Sequence, residues 1–257
     1  MSDKIILDLE TQKGFNEVGG QHHQQLLGVS VVGVYSYDLD SYHAYREAEF
    51  KELEKILKDA SLIIGYNIKK FDLPVLQPYF KTRLDKLPTL DILEEIYYTL
   101  GRRLKLDSLA LSTLGWGKSG DGLEAIMYYK LGEWEKLISY CLDDVKITKN
   151  IYEYGQRHGH LWYENNGLKE RIKIRWAQEK TIDKLVKEAL ANGQQAEIIY
   201  LKEGALDEAR QIDIRFVKDN KIHAFCHLRK ELRVFEIDKI YNFKLIGQMA
   251  SWQNKLF

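Results

Sequence analysis

Asp8 and Glu10 stand one residue apart at the end of the run Lys4-Ile5-Ile6-Leu7-Asp8-Leu9-Glu10. The aliphatic run reads as a β-strand, where successive side chains alternate faces, so the two carboxylates share a face roughly 7 Å apart. Side by side they repel each other and are costly to bury unpaired. That face is therefore either solvated, as at an exposed strand end, or occupied by something cationic. Two further stretches carry residues of the same kind. Gly65-Tyr66-Asn67-Ile68-Lys69-Lys70-Phe71-Asp72 ends an apolar strand and opens a helix at Asp72, which taken alone serves as an ordinary cap on free backbone N–H groups. Tyr140-Cys141-Leu142-Asp143-Asp144 falls inside a long helical pattern that sets Tyr140 and Asp144 on one face, with Asp143 about 100° round the helix.

The elements that must position these residues follow from periodicity. After Glu10, Thr11 to Gln25 is polar and glycine-containing and reads as a loop. Leu26 to Tyr37 reads as a strand buried on both faces, and Tyr42 to Tyr45 as its hairpin partner. Glu47 to Asp59 has the spacing of an amphipathic helix. Ser61 to Gly65 is a short strand, Phe71 to Phe80 a helix, and Thr89 to Leu93 a last strand running into another helix. Helical patterns continue over Asp107 to Leu114, Gly122 to Leu131 and Glu133 to about Tyr154. Strands first and helices later predict an α/β domain with a mixed sheet flanked by helices. His160 to Glu164 and Arg171 to Trp176, joined through Asn165-Asn166-Gly167, predict a β-hairpin. Lys180 to Leu190 predicts a helix, and Ala196–Leu201, Gln211–Val217, Lys221–Leu228 and Leu232–Tyr241 predict the strands of a small second unit. The expected division is 1–154, a hairpin extension or linker over 155–179, and 180–257.

Taken in order and at these separations, the three stretches resemble the DEDD superfamily of 3′–5′ exonucleases, in its tyrosine-containing branch. Asp8 and Glu10 match its first motif, Asn67, Phe71 and Asp72 its second, and Tyr140 and Asp144 its third. Asp107-Ser108-Leu109-Ala110 and Lys118-Ser119-Gly120-Asp121-Gly122 look like a nuclease branch of the same superfamily, and the likeness covers about residues 1–176. The resemblance implies an RNase H-like fold and a phosphodiester hydrolase with two Mg²⁺ or Mn²⁺ ions. Such hydrolysis uses two ions about 3.5–4 Å apart, one activating water and the other stabilising the leaving oxygen, and hard cations of this kind prefer carboxylate oxygens. By the resemblance, Asp8 bridges both ions, Glu10 and Asp144 complete the site of the nucleophile-side ion, and Asp72 holds the other, partly through water. Tyr140 orients the attacking water, because a phenol with pKa about 10 is a poor base at neutral pH. The implied substrate is single-stranded DNA or RNA, with DNA slightly ahead. A non-catalytic nucleic-acid-binding or regulatory protein on a nuclease scaffold, and an endonuclease, are the alternatives. Asp91 reads as a strand end or an outer-shell group, and His22 and His23 as solvated.

Residues of about 180–244 resemble a WYL domain, a small Sm-like β-barrel, through Cys226 to Ile240, Ile198-Ile199-Tyr200 and Arg210. The family's naming tripeptide is replaced by His223-Ala224-Phe225, which puts its ligand surface in question. The resemblance implies a role in binding substrate or a nucleotide-like ligand. Arg210, Arg229 and Arg233 are the anion-binding candidates, since guanidinium suits phosphate geometry. Pairing with Glu231, Glu236 and Asp238 is the other reading. The hairpin segment 155–176 holds five Lys/Arg against two Glu, interleaved with Trp162, Tyr163 and Trp176. Its Trp162, Arg171 and Lys173, with Asn67 and Lys118, are further candidates for nucleic-acid contact.

Composition narrows the class. With 38 Lys+Arg against 38 Asp+Glu the formal charge is zero, so nucleic-acid binding has to come from local basic patches. Residues 180–257 carry 14 basic against 11 acidic side chains, a mild excess in the rear part. No stretch approaches the roughly 20 apolar residues of a membrane helix and no signal peptide is legible. Cys141 and Cys226 lie too far apart for a metal-binding spacing. A cytoplasmic protein with reduced thiols is the expectation.

Overall fold

The computed structural model describes residues 3–117, 122–177, 181–202 and 205–248. Their contacts divide them into two compact units, one from residues up to 153 with 161–174, the other from 154–160 with those from 175 onward. None of the helices, among the described residues, is long and apolar enough to cross a membrane.

The first unit is built on a five-stranded mixed sheet. Its strands are β1 (Lys4–Thr11), β2 (Val29–Ser36), β3 (Ser41–Tyr45), β4 (Leu62–Gly65) and β5 (Thr89–Asp91), in the order β3-β2-β1-β4-β5. β1 runs antiparallel to β2 and parallel to β4, and β4 parallel to β5. The helices are α1 (Phe50–Asp59), α2 (Asp72–Leu76), α3 (Ile92–Leu100), α4 (Leu106–Leu114), α5 (Gly122–Leu131) and α6 (Trp134–His158). Ile5, Leu7 and Leu9 of β1 pack with Leu53 and Leu57 of α1 and with Leu73 and Leu76 of α2 in one core. The opposite face of β2 meets α5 and α6 through Val31, Ala125, Leu137, Tyr140 and Cys141. Alternation along β1 therefore turns Asp8 and Glu10 toward α6. A mixed sheet flanked by helices, RNase H-like in strand order, is the architecture the sequence predicts.

Several boundaries differ from expectation for local reasons. The segment Thr11 to Gln25 contains 3₁₀ turns at Phe15–Glu17 and Gln21–Leu26. The helix expected over Phe71–Phe80 is α only to Leu76 and 3₁₀ over Gln77–Tyr79, because Pro78 has no N–H to continue the α pattern. α6 runs on to His158, straight through Gly155. Here glycine serves packing: a Cβ at 155 would lie 2.8 Å from Trp176 Nε1. The hairpin strands are β6 (His160–Asn165) and β7 (Leu168–Lys173). Asn166 and Gly167 take φ +50° and +78°, the two-residue turn that Asn-Gly favours, and so tight a turn starts the second strand three residues earlier than expected.

The second unit joins α7 (Ile182–Asn192) to an antiparallel sheet of β8 (Gln194–Lys202), β9 (Ala205–Leu206), β10 (Arg210–Lys218), β11 (Lys221–Cys226), β12 (Glu231–Glu236) and β13 (Ile240–Gln248). The order is β12-β11-β10-β8-β13, with β9 on β8. Ile182, Val186 and Ala189 of α7 close its core over Ile198, Ile212, Ile214, Ala224 and Phe235. The strand expected over Leu232–Tyr241 is two strands, broken by a 3₁₀ turn at Ile237–Lys239. Asp238 of that turn accepts hydrogen bonds from Tyr154 (2.9 Å) and Asn220 (2.7 Å).

Candidate active site

β1 outruns its neighbour. Its last partner on β4 is Ile6, opposite Ile64, yet the strand continues to Thr11, leaving the Leu9 N–H without a strand to bond. The Asp72 carboxylate takes it: Leu9 N donates to Asp72 Oδ1 at 3.1 Å. The chain reaches that point because β4 ends in Gly65, where any Cβ would fall 2.1 Å from Ile68 and 2.8 Å from the Leu7 carbonyl. Asn67 then takes φ +68°, a left-handed conformation asparagine tolerates, and α2 starts at Asp72. Asp72 is thus anchored to the backbone between Asp8 and Glu10, at 2% exposure.

From the other side, α6 brings Asp144. Carboxylate oxygens of Asp8, Glu10 and Asp144 lie within 4.8 Å of one another. Glu10 and Asp144 are buried and Asp8 half-buried. Gly33 makes this approach possible, a role not visible in the sequence. It pairs with Asp8 across β1 and β2, and a Cβ there would sit 2.9 Å from both Cys141 Sγ and Val145 Cγ2. The Cys141 thiol donates to the Asp8 carbonyl at 3.7 Å, tying the helix to the strand one turn before Asp144.

The electrostatics are those of crowded anions. Burial first, then the charges of Asp8, Glu10 and Asp144, push the Cys141 thiol well above its ordinary range. Burial also pushes Asp72 up to about 7, with Asp91 and Asp144 adding to the rise against the Leu9 hydrogen bond that lowers it. In the metal-free protein, folded Asp72 keeps a proton that the unfolded chain has already lost. Stability therefore falls as pH rises from about 4 to about 7. Thermal melts in EDTA across that range should show the decline, and Asp72→Asn should flatten it. A wild-type profile no steeper than that of Asp72→Asn would contradict this placement.

Tyr140 is buried at 9% exposure, one helical turn before Asp144. Tyr140→Phe should cost on the order of tens to a thousandfold in turnover with metal affinity unchanged, as for a hydroxyl that only orients water. A loss equal to that of Asp144→Asn, with metal binding gone too, would give the phenol another role. Asp143 is exposed, as are His22 and His23. Asp91 is structural, since its carboxylate accepts from the backbone N–H groups of Asn67, Lys69, Leu93 and Glu94, at 2.9 to 3.2 Å.

The other candidates are scattered. Trp162 has Lys169 and Arg171 over its ring, at 4.9 and 4.8 Å, so that face is already covered, while Lys173 is exposed. Arg210 is buried and its guanidinium donates to Asp207, which leaves it poorly placed for a phosphate and gives it a partner outside the three expected. Arg233 bonds Glu231 at 2.7 Å with both side chains exposed, the pairing read as the alternative. Arg229 is exposed. Lys118 lies outside the described residues. Arg103, which donates to Asn67 Oδ1 at 2.6 Å, was not among the residues the sequence singled out.

Residues 5–156 match the profile of RNase_H_2, described as RNase_H superfamily. The chain belongs to that superfamily. The match runs from β1 into the last part of α6 and so contains all four carboxylates. No curated protein matches the chain. Among solved structures, the family B DNA polymerase of the archaeon Pyrobaculum calidifontis overlaps 60% of this chain and 25% of its own, at 19% identity and a TM-score of 0.47. Escherichia coli Exonuclease I, in complex with a dA16 oligonucleotide, overlaps 97% of this chain and 65% of its own, at 10% identity and 0.35. The chain thus spans about a quarter of the polymerase and under two thirds of the exonuclease. The superfamily membership rests on the profile match.

Proposed function

We propose that this protein is a metal-dependent 3′–5′ exonuclease of the tyrosine-containing DEDD branch, hydrolysing phosphodiester bonds of single-stranded nucleic acid. The observation that carries this reading is the convergence of Asp8, Glu10 and Asp144 within 4.8 Å, with Asp72 bonded to the strand between the first two. Buried like charges at such spacing are costly unless a cation joins them. The donor set, all carboxylate oxygen, fits Mg²⁺ or Mn²⁺. Asp8, Glu10, Asp72 and Asp144 would hold two such ions. Bound there, the ions supply water activation and charge stabilisation at the leaving oxygen. The chain contributes the rest. β1 and α6 fix the carboxylates on rigid elements, and the Asp72–Leu9 hydrogen bond sets the fourth against the first two. Tyr140 offers a hydroxyl one turn from Asp144 to orient the attacking water.

The rear unit would hold the substrate strand or a nucleotide-like ligand. Arg229, and Arg233 through its exchangeable surface pair, are the groups available for that role, since exposed ion pairs are worth little. A time course on DNA and RNA oligonucleotides labelled at the 5′ or the 3′ end, with Mg²⁺, Mn²⁺ or EDTA, tests the reading. A 5′-labelled strand should shorten one nucleotide at a time and only with metal, while a 3′ label is released at once as a mononucleotide. Internal fragments appearing first would show an endonuclease, and intact strands in every metal a non-catalytic protein.

A further inference from the structure

A pocket of about 300 Å³ opens at the carboxyl ends of β4 and β5, lined by Asn67, Lys70, Tyr97, Tyr98 and Arg103 together with Asp91 and Glu94. Parallel sheets bind ligands outside these strand ends. Neighbouring strands lie about 4.8 Å apart, so β5 is roughly 10 Å across the edge from β1, the reach of the next one or two nucleotides of a strand.

The charges in this pocket are unequally committed. Asp91 is spent on four backbone N–H groups, and Glu94 is paired with Lys69 at 2.6 Å. Arg103 meets no carboxylate among the described residues, and Lys70 is exposed. Arginine only donates, so its bond to Asn67 fixes the amide with Oδ1 toward the guanidinium. Nδ2 is then left as a donor to a ligand. Three donor groups therefore line this pocket, where the Asp91 carboxylate is taken up by backbone N–H groups and Glu94 is ion-paired. Beside them Tyr97 and Tyr98 stand 47% and 65% exposed, offering aromatic faces on which a base can stack. The position of Arg103 is itself built. Gly101, at φ +69°, ends α3, Arg102 is turned to the hairpin by Asn165 at 3.2 Å, and Tyr66 holds the Leu104 carbonyl at 2.9 Å.

We propose that this pocket binds the single strand one or two nucleotides away from the scissile bond, with a backbone phosphate on Arg103, Lys70 and Asn67 Nδ2 and its base against Tyr97 or Tyr98. The assignment rests on the nuclease reading for its substrate, but its test does not require hydrolysis. A fluorescent ten-nucleotide strand is bound to the full chain in EDTA, in a series where a single neutral methylphosphonate replaces each phosphate in turn. Wild type should lose about tenfold in affinity when the neutral linkage falls at one position near the 3′ end. Arg103→Ala and Lys70→Ala, each confirmed folded by its melt, should bind the unmodified strand about tenfold more weakly and lose that positional dip. A shallower salt dependence, by about 0.7 per lost phosphate contact, should accompany it. A wild-type profile with no dip, or variants that keep the dip in full, would overturn the proposal. Failure to hydrolyse any strand with Mg²⁺ or Mn²⁺ would sink the nuclease reading and leave this binding result standing.

Discussion

Asp8→Asn is expected to lower hydrolysis by several orders of magnitude, and Asp144→Asn to do the same. Each removes one charged oxygen donor from a cluster in which three side chains lie within 4.8 Å. Asparagine keeps the shape but offers a neutral carbonyl in place of an anion, so the site loses much of its attraction for a divalent ion. The metal-free fold should be as stable as wild type or slightly more so, because a like-charge contact has been relieved. Rates on a labelled single strand, beside melts in EDTA, check both halves. An Asp8→Asn enzyme that keeps more than about a tenth of the wild-type rate, a barrier change of only about 1.4 kcal/mol, contradicts the assignment.

Gly33→Ala should damage fold and activity together. The new methyl would lie 2.9 Å from Cys141 Sγ and Val145 Cγ2, and both are fully buried, short side chains on α6 that cannot swing clear. The helix itself must move outward. Overpacking of this kind costs typically 1–3 kcal/mol, a fall in Tm of several degrees for a unit of this size. Asp144 rides on the same turn, and a displacement of about 1 Å can cost on the order of a hundredfold in rate. Melts and steady-state rates should therefore fall together, with Cys141→Ala in the same chain restoring part of both by giving the methyl room. Unchanged activity in Gly33→Ala would mean that α6 is not held against β1 at this point.

The candidate site residues were legible because their types are improbable where they stand. A carboxylate interrupting an aliphatic strand, an Asp at a helix start and a Tyr–Asp pair on one helical face need no neighbours to be noticed. What positions them was not legible. Gly33 sits in the unremarkable run Val31-Val32-Gly33-Val34, and only the approach of α6 shows that its missing side chain matters. Arg103 lies 36 residues from Asn67 in sequence, and nothing local joins them. The break between β12 and β13 was hidden because apolar residues recur all the way from Leu232 to Tyr241 with no Gly or Pro. The turn is made instead by buried Ile237, whose N–H donates to the Asn220 carbonyl at 2.9 Å. Gly155, just past the expected helix end near Tyr154, lies inside α6 as a contact for Trp176.

Counting bound Mn²⁺ tests the central claim most directly. Wild type and Asp8→Asn are titrated with Mn²⁺ at neutral pH beside a short single strand, and free Mn²⁺ is followed by electron paramagnetic resonance. Up to two ions should be held per wild-type chain, competed by Mg²⁺, and lost in Asp8→Asn and in Asp144→Asn. Equal Mn²⁺ binding by all three proteins would contradict the claim, since the ions would then sit somewhere other than among Asp8, Glu10, Asp72 and Asp144.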